Sequence, residues 1–280
     1  MSLASPHGHM DAMLRDLLVQ ILIGAEALDS IVVGGQALNI WGEHYFEKAS
    51  SELRPFTPFQ SKDIDFLGDV EAAKKLALML EGDLNIPSSA DPVTPSSALI
   101  NVEVQGRHYC IDFLYSLAGL DTETIKKRAQ ILEVQLPTLP DGDRATMIRL
   151  LHPVDVLLSR IAAVRTLRRT DAGALRQLAA APIILREFIR ELLDKGDQGA
   201  VKEAQATIRE FIHIAGLPRN DVIFSDFDID LLSEPQKLSA HPTWQAEFVR
   251  HQIDKPCEKI HMRRARRVRE ARRKAGRGAY

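Results

Sequence analysis

The chain has 280 residues, 45% hydrophobic and 26% charged, which is enough apolar material for one large core or two modest ones and excludes disorder over most of its length. Its formal net charge is −2, and its two cysteines, Cys110 and Cys257, are too few for a disulfide framework or a cysteine zinc site, so a soluble protein of the reducing cytoplasm is expected. No apolar run reaches the length of a membrane span, and Met1 to Met10 lacks the basic start and apolar centre of a signal peptide, so no membrane partner is expected.

Met13, Leu17, Leu18, Ile21 and Leu22 recur at helical spacing, predicting a helix from Met10 to Leu28 that packs on a sheet. Ile31-Val32-Val33 then reads as a strand that breaks at Gly34-Gly35 into a helix carrying Ala37, Leu38 and Ile40. Backbone N–H groups and the helix dipole at such a turn favour an anion, and a chain without Cβ atoms can approach a phosphate closely. Glu43 to Gln60, with Pro55 and Pro58, is expected to be an irregular loop that could serve as a lid.

If Asp63 to Leu67 is a strand, alternation places Asp63 and Asp65 on one face and sends Ile64 and Phe66 into the core. Aspartate is depleted in strands and costly when buried unpaired, so this face needs either the solvent of an edge strand or a cation. Magnesium, held by one or two carboxylates and substrate phosphate oxygens, would serve. Gly68, a helix from about Val70 to Leu80 and a Pro/Ser-rich loop from Pro87 to Ser97 follow. Ala98 to Val104 and Tyr109 to Leu114 then form a hairpin through Gln105-Gly106-Arg107, with Asp112 the one acid of the second strand.

Ile131 to Leu136 and Thr146 to Leu151 read as further strands about a turn at Pro140-Asp141-Gly142-Asp143, making the sheet mixed. Beyond His152-Pro153 helical periodicity takes over, through Asp155 to Leu167, Ala181 to Leu193 and Val201 to Ile214. The expected fold is α+β, with a mixed-sheet domain flanked by helices over residues 1–151, a helical domain over 152–257 and a basic C-terminal tail over 258–280.

The glycine turn, the hydrophobic-Asp-hydrophobic-Asp segment and the later strand with Asp112 together resemble the signature of the nucleotidyltransferase superfamily. Within it, Gly34-Gly35-Gln36-Ala37-Leu38 and Ser61-Lys62-Asp63-Ile64-Asp65-Phe66 resemble the wording of AbiEii-type nucleotidyltransferase-like proteins, over Ile31 to about Arg165. The resemblance implies that Gly34, Gly35, Gln36, Lys62 and Arg160 bind a nucleoside triphosphate such as ATP. It implies that Asp63, Asp65 and Asp112 hold Mg2+ or Mn2+, with Asp112 alternatively the base. The chain departs from the family in the length of Glu43 to Gln60 and in having Arg160 where a lysine about five positions after Asp155 is usual. An arginine supplies charge toward a phosphate but through a planar fork, and helix-start electrostatics for Asp155 and a solvated face for Arg160 stand against function.

A second acid cluster, Asp226-Phe227-Asp228-Ile229-Asp230, has no glycine turn before it and lies between Pro218 and Pro235, so it reads as structural or solvated. Glu258 to Tyr280 holds ten Lys/Arg, including Arg263, Arg264, Arg266, Arg267, Arg272 and Arg273, against two acids, a net of +8 that leaves −10 on the rest. Such an arm either binds nucleic acid, with a steep salt dependence, or lies on the acidic body. The expected activity is metal-dependent transfer of a nucleoside monophosphate to an acceptor hydroxyl. RNA, tRNA in particular, is the favoured acceptor; a protein or small molecule, or a catalytically silent binding module, is the alternative. Toxins among the resembling proteins make a cognate antitoxin an implied partner.

Overall fold

The computed structural model describes residues 12–28, 30–59, 63–87, 95–104, 106–135 and 145–277. Lys62, the segment before Ala12 and the turn at Pro140 to Asp143 lie outside them. The chain groups into two compact units, Met1–Ile184 and Leu185–Tyr280, so the division falls within a helix, later than the change of periodicity at His152.

The first unit opens with α1 (Ala12–Leu28), which buries Leu17, Ile21 and Leu22, and continues through β1 (Ile31–Val32) into α2 (Gly34–Tyr45). The expected irregular loop is instead partly helical. It contains α3 (Ser50–Leu53) and a 3-10 turn at Arg54–Phe56, whose Pro55 sits in the first turn, where no backbone donor is required. The segment is anchored by buried Leu53 and Phe59; the Phe59 ring lies so close to Gly42 that a Cβ there would come within 2.6 Å of it.

Next come β2 (Ile64–Leu67), α4 (Val70–Leu80), β3 (Asp83–Asn85), β4 (Ser96–Val104), β5 (Arg107–Leu114), α5 (Thr122–Arg128), β6 (Gln130–Gln135), β7 (Ala145–Leu150) and α6 (Pro153–Arg165). Asp69 caps α4 by accepting from the Ala72 N–H, and Asp121 caps α5 by accepting from the Thr124 N–H. Periodicity predicts neither β3 nor α5, which are only three and seven residues long.

The strands form one mixed sheet in the order β3-β4-β5-β2-β1-β7-β6. Strand β2 runs parallel to β5 and antiparallel to β1, and β1 runs parallel to β7. Phe66 and Phe113, directly paired on β2 and β5, are fully buried with ring centroids 5.3 Å apart, so one face of this strand pair belongs to the core and the preceding pair, Asp65 and Asp112, faces the other way.

Helix α7 (Ala172–Lys195) begins earlier than the apolar spacing indicates and carries Pro182 within it. The second unit continues with α8 (Gln198–Gly216), α9 (Asp221–Phe227), α10 (Ser233–Lys237), α11 (Ala246–Phe248), a π-helical turn at Val249–Asp254 and α12 (Lys255–Arg277). Inside it the fully buried guanidinium of Arg186 is held between Glu187 and Glu234, an arrangement in which each of these buried charges has a partner. No helix among the described residues is long and apolar enough to cross a membrane.

Candidate active site

The residue register places two acids together. Asp65 pairs with Asp112 across the parallel β2/β5 ladder, and both strands are internal to the sheet, so the solvent of an edge strand does not account for them. Asp63 does not join this ladder, because β2 begins at Ile64; it stands exposed on the bend just before the strand. Its charge still acts on Asp65 and on Asp112, raising the pKa of both.

The glycine turn meets the same acids. Val33 donates its N–H to the Asp65 carbonyl at 2.9 Å, and Gly34 adopts φ +63, the left-handed region that favours glycine. A Cβ at Gly34 would stand 1.9 Å from Asp65 Oδ2, so the Asp65 carboxylate lies directly against the N-terminus of α2. A phosphate drawn to that turn would meet the carboxylate, and the two anions can share the place only with a cation between them.

Burial, then Asp112 and Asp63, push Asp65 up to about 6, while the guanidinium groups of Arg160 and Arg169 act in the opposite direction. Burial also raises Asp112, against a hydrogen bond of 2.7 Å donated by Ser96 Oγ to its Oδ1. Arg160 donates to Gln177 Oε1 at 2.7 Å and to Ser159 Oγ at 2.9 Å, and its buried Nε has no hydrogen-bond partner. Thus the structure brings Asp63, Asp65, Asp112, Gly34 and Arg160 into one neighbourhood. Gly35 and Gln36 are buried in the first turn of α2, where the Gln36 Oε1 accepts from Asn39.

The donors present for a metal are few. Among the described residues no group of three or more His, Cys, Asp or Glu could hold a metal ion, so the three acids do not make a closed cage. Asp65 and Asp112, adjacent and biased toward protonation by burial, are a two-carboxylate donor set, which suits Mg2+ or Mn2+ completed by phosphate oxygens and water. Asp155 serves α6 instead: buried in the first turn of that helix, it places Oδ1 3.5 Å from Arg128 Nη1. His152 caps the same helix, its Nδ1 accepting from the Val154 N–H.

Three residues at the site lie beyond the sequence motifs. Ser96 falls in the stretch whose composition predicts a loop, although a Ser-Ser pair entering a strand opposite an aspartate is a usable signal; Arg169 and Gln177 carry none, since only the turn between α6 and α7 brings them near Asp65 and Arg160. The tail arginines divide. Arg263, Arg264 and Arg267 are held by Asp221, Arg264 also by Asp230, and Arg266 pairs with Glu270, whereas the side chains of Arg272 and Arg273 lie outside the described residues. Asp230, one of the second acid cluster, is therefore an ion-pair partner and also accepts from the Leu232 N–H.

In comparisons with protein-family models, curated proteins and solved structures, nothing matches this chain.

Proposed function

We propose that the chain is a metal-dependent nucleotidyltransferase that moves a nucleoside monophosphate from a triphosphate to an acceptor hydroxyl. The observation that carries this reading is the in-register Asp65/Asp112 pair, of which Asp65 packs against the left-handed Gly34 turn. Asp65 and Asp112 would hold Mg2+ or Mn2+, which when bound supplies charge neutralisation and orientation for the triphosphate. The α2 N-terminus receives phosphate oxygens, and Arg160 with Arg169 offsets their charge. Alternatively to holding the metal, Asp112, oriented by Ser96 and raised by burial, serves as the base: it accepts the proton of the acceptor hydroxyl as the hydroxyl oxygen bonds to the α-phosphorus, the bridging P–O bond breaks and pyrophosphate leaves.

RNA is the acceptor we favour. Its support is the outer face of α12, where Lys255, Lys259, Arg266 and Arg269 are exposed at helical spacing, away from buried Cys257, Ile260 and Arg264. A triphosphate-binding module without transfer draws on one observation, the lack of a three-acid cluster among the described residues.

Incubation with each labelled triphosphate, Mg2+ and total RNA separates these readings. Transfer should release pyrophosphate and label RNA, and Asp65→Asn should slow it by roughly a hundredfold or more, as loss of a transition-state electrostatic group does. Triphosphate binding without pyrophosphate release would establish the module, and undiminished transfer by the variant would dismiss this site.

A further inference from the structure

A cleft of about 150 Å3 opens in the first unit between α2, the inserted segment and the start of α7. Leu38, Phe56 and Phe59 give it apolar and aromatic walls; Asn39, Arg176 and Gln177 supply amide and guanidinium groups. The lining is thus mixed, with aromatic walls beside polar groups that can fix a ligand's orientation. Flat aromatic walls suit a planar ring, and side-chain amides can pair with the donor and acceptor edge of a heterocycle.

Two covalent or hydrogen-bonded routes connect the cleft with the acid site. Leu38 and Asn39 lie one turn along α2 from Gly34 and Gly35, about 6 Å along the axis. Gln177, which also lines the cleft, accepts the hydrogen bond of Arg160 through its Oε1, and the charge of Arg160 acts on Asp65. A molecule with phosphates at the α2 N-terminus and a planar base one helical turn further on would occupy both places.

We infer that this cleft is the base pocket of the nucleotide, and that the inserted segment, through Phe56 and Phe59, is its wall rather than a detached lid. The inference rests on the nucleotidyl-transfer reading for the position of the phosphates. Base discrimination then resides in Gln177, which couples base occupancy to the placement of Arg160.

The test compares binding of the four nucleoside triphosphates, the four nucleosides and inorganic tripolyphosphate, each with Mg2+, by titration calorimetry on the full chain. Two variants are used. Phe56→Ala removes a half-buried wall, and Gly173→Leu places a side chain at the rim, where a Cβ would meet only the Asp171 carboxylate at 3.0 Å. Loss of a stacking partner in the first variant and obstruction of the cleft in the second should each weaken triphosphate binding about tenfold or more, with tripolyphosphate affinity unchanged. Circular dichroism confirms that each variant is folded, and agreement of either folded variant with the wild type in triphosphate affinity would overturn the pocket. If tripolyphosphate binds but triphosphates bind no better, the pocket falls and the phosphate site stands; if nothing binds, both fall.

Discussion

Gly34 and Asp65 are coupled by contact rather than by sequence proximity, and the coupling is measurable. Gly34→Ala would combine left-handed strain of roughly 1–2 kcal/mol with displacement of the Asp65 carboxylate, for an expected loss of about 3 kcal/mol in chemical denaturation. In an Asp65→Ala background the carboxylate clash is gone, and only the backbone strain and a tight contact with the Cβ of residue 65 at 3.1 Å should remain. Additive losses in the double-mutant cycle would refute the carboxylate contact. Asp65→Asn should act in the other direction on stability. Because folding raises the Asp65 pKa from 3.8 to about 6, its contribution falls as pH rises across that interval, and above it the charged form costs up to about 3 kcal/mol. The variant should therefore melt a few degrees higher than the wild type at neutral pH in EDTA, while losing transfer. The acids themselves were legible, because aspartate in a strand conflicts with strand preference and demands a reason. Their membership of the strand was not: whether Asp63 belongs to it depends on the Ile64↔Ile111 pairing, which no local pattern specifies.

Elements with strong period or caps were readable from local chemistry, as α4 shows, with Asp69 at its start and Ala73, Leu76 and Ala77 turned inward, although Leu78 and Met79 are exposed. The inserted segment defeats a local reading because proline ordinarily breaks regular structure, whereas Pro55 occupies a first-turn position that a helix tolerates. Helix α6 carries a device that only tertiary placement reveals. His152 is buried at its N-terminus, and burial with the neighbouring Arg128 lowers its pKa from 6.5 to about 3. The unfolded chain then binds a proton that the folded chain does not, so stability is retained above the unfolded value and lost as pH falls below 6.5 toward about 3. At about pH 4.5 the loss should approach 3 kcal/mol. His152→Asn keeps an acceptor for the cap and removes the titration, so its stability curve should be flatter on acidification; a curve parallel to the wild type would show that other groups govern the acid limb.

At the scale of the whole molecule, a near-neutral total conceals a basic arm of +8 and a remainder of −10, and the structure uses part of that separation internally. Arg263, Arg264 and Arg267 converge on Asp221 while Lys255, Lys259, Arg266 and Arg269 remain on the exposed face, so α12 has a docking face and a basic outer face. Composition reveals the charge excess, but only helical phase assigns each arginine to a face. The two tryptophans permit a separate reading of each compact unit, since Trp41 belongs to the first and Trp244 to the second. Asp221→Ala leaves the largely buried Arg264 short of one anion, and removal of one partner from such a pair typically costs about 3–5 kcal/mol. In the Trp41→Phe variant, whose remaining tryptophan is Trp244, the Asp221 substitution should lower the unfolding midpoint, and an unmoved midpoint would refute the role of that ion pair. Replacing Lys259, Arg266 and Arg269 with Gln should do the reverse of a docking change: the Trp244 midpoint holds, while RNA affinity and the slope of its salt dependence both fall. An unchanged salt slope in that triple variant would detach RNA from α12 and leave the acceptor hydroxyl to be sought on a protein or a small molecule.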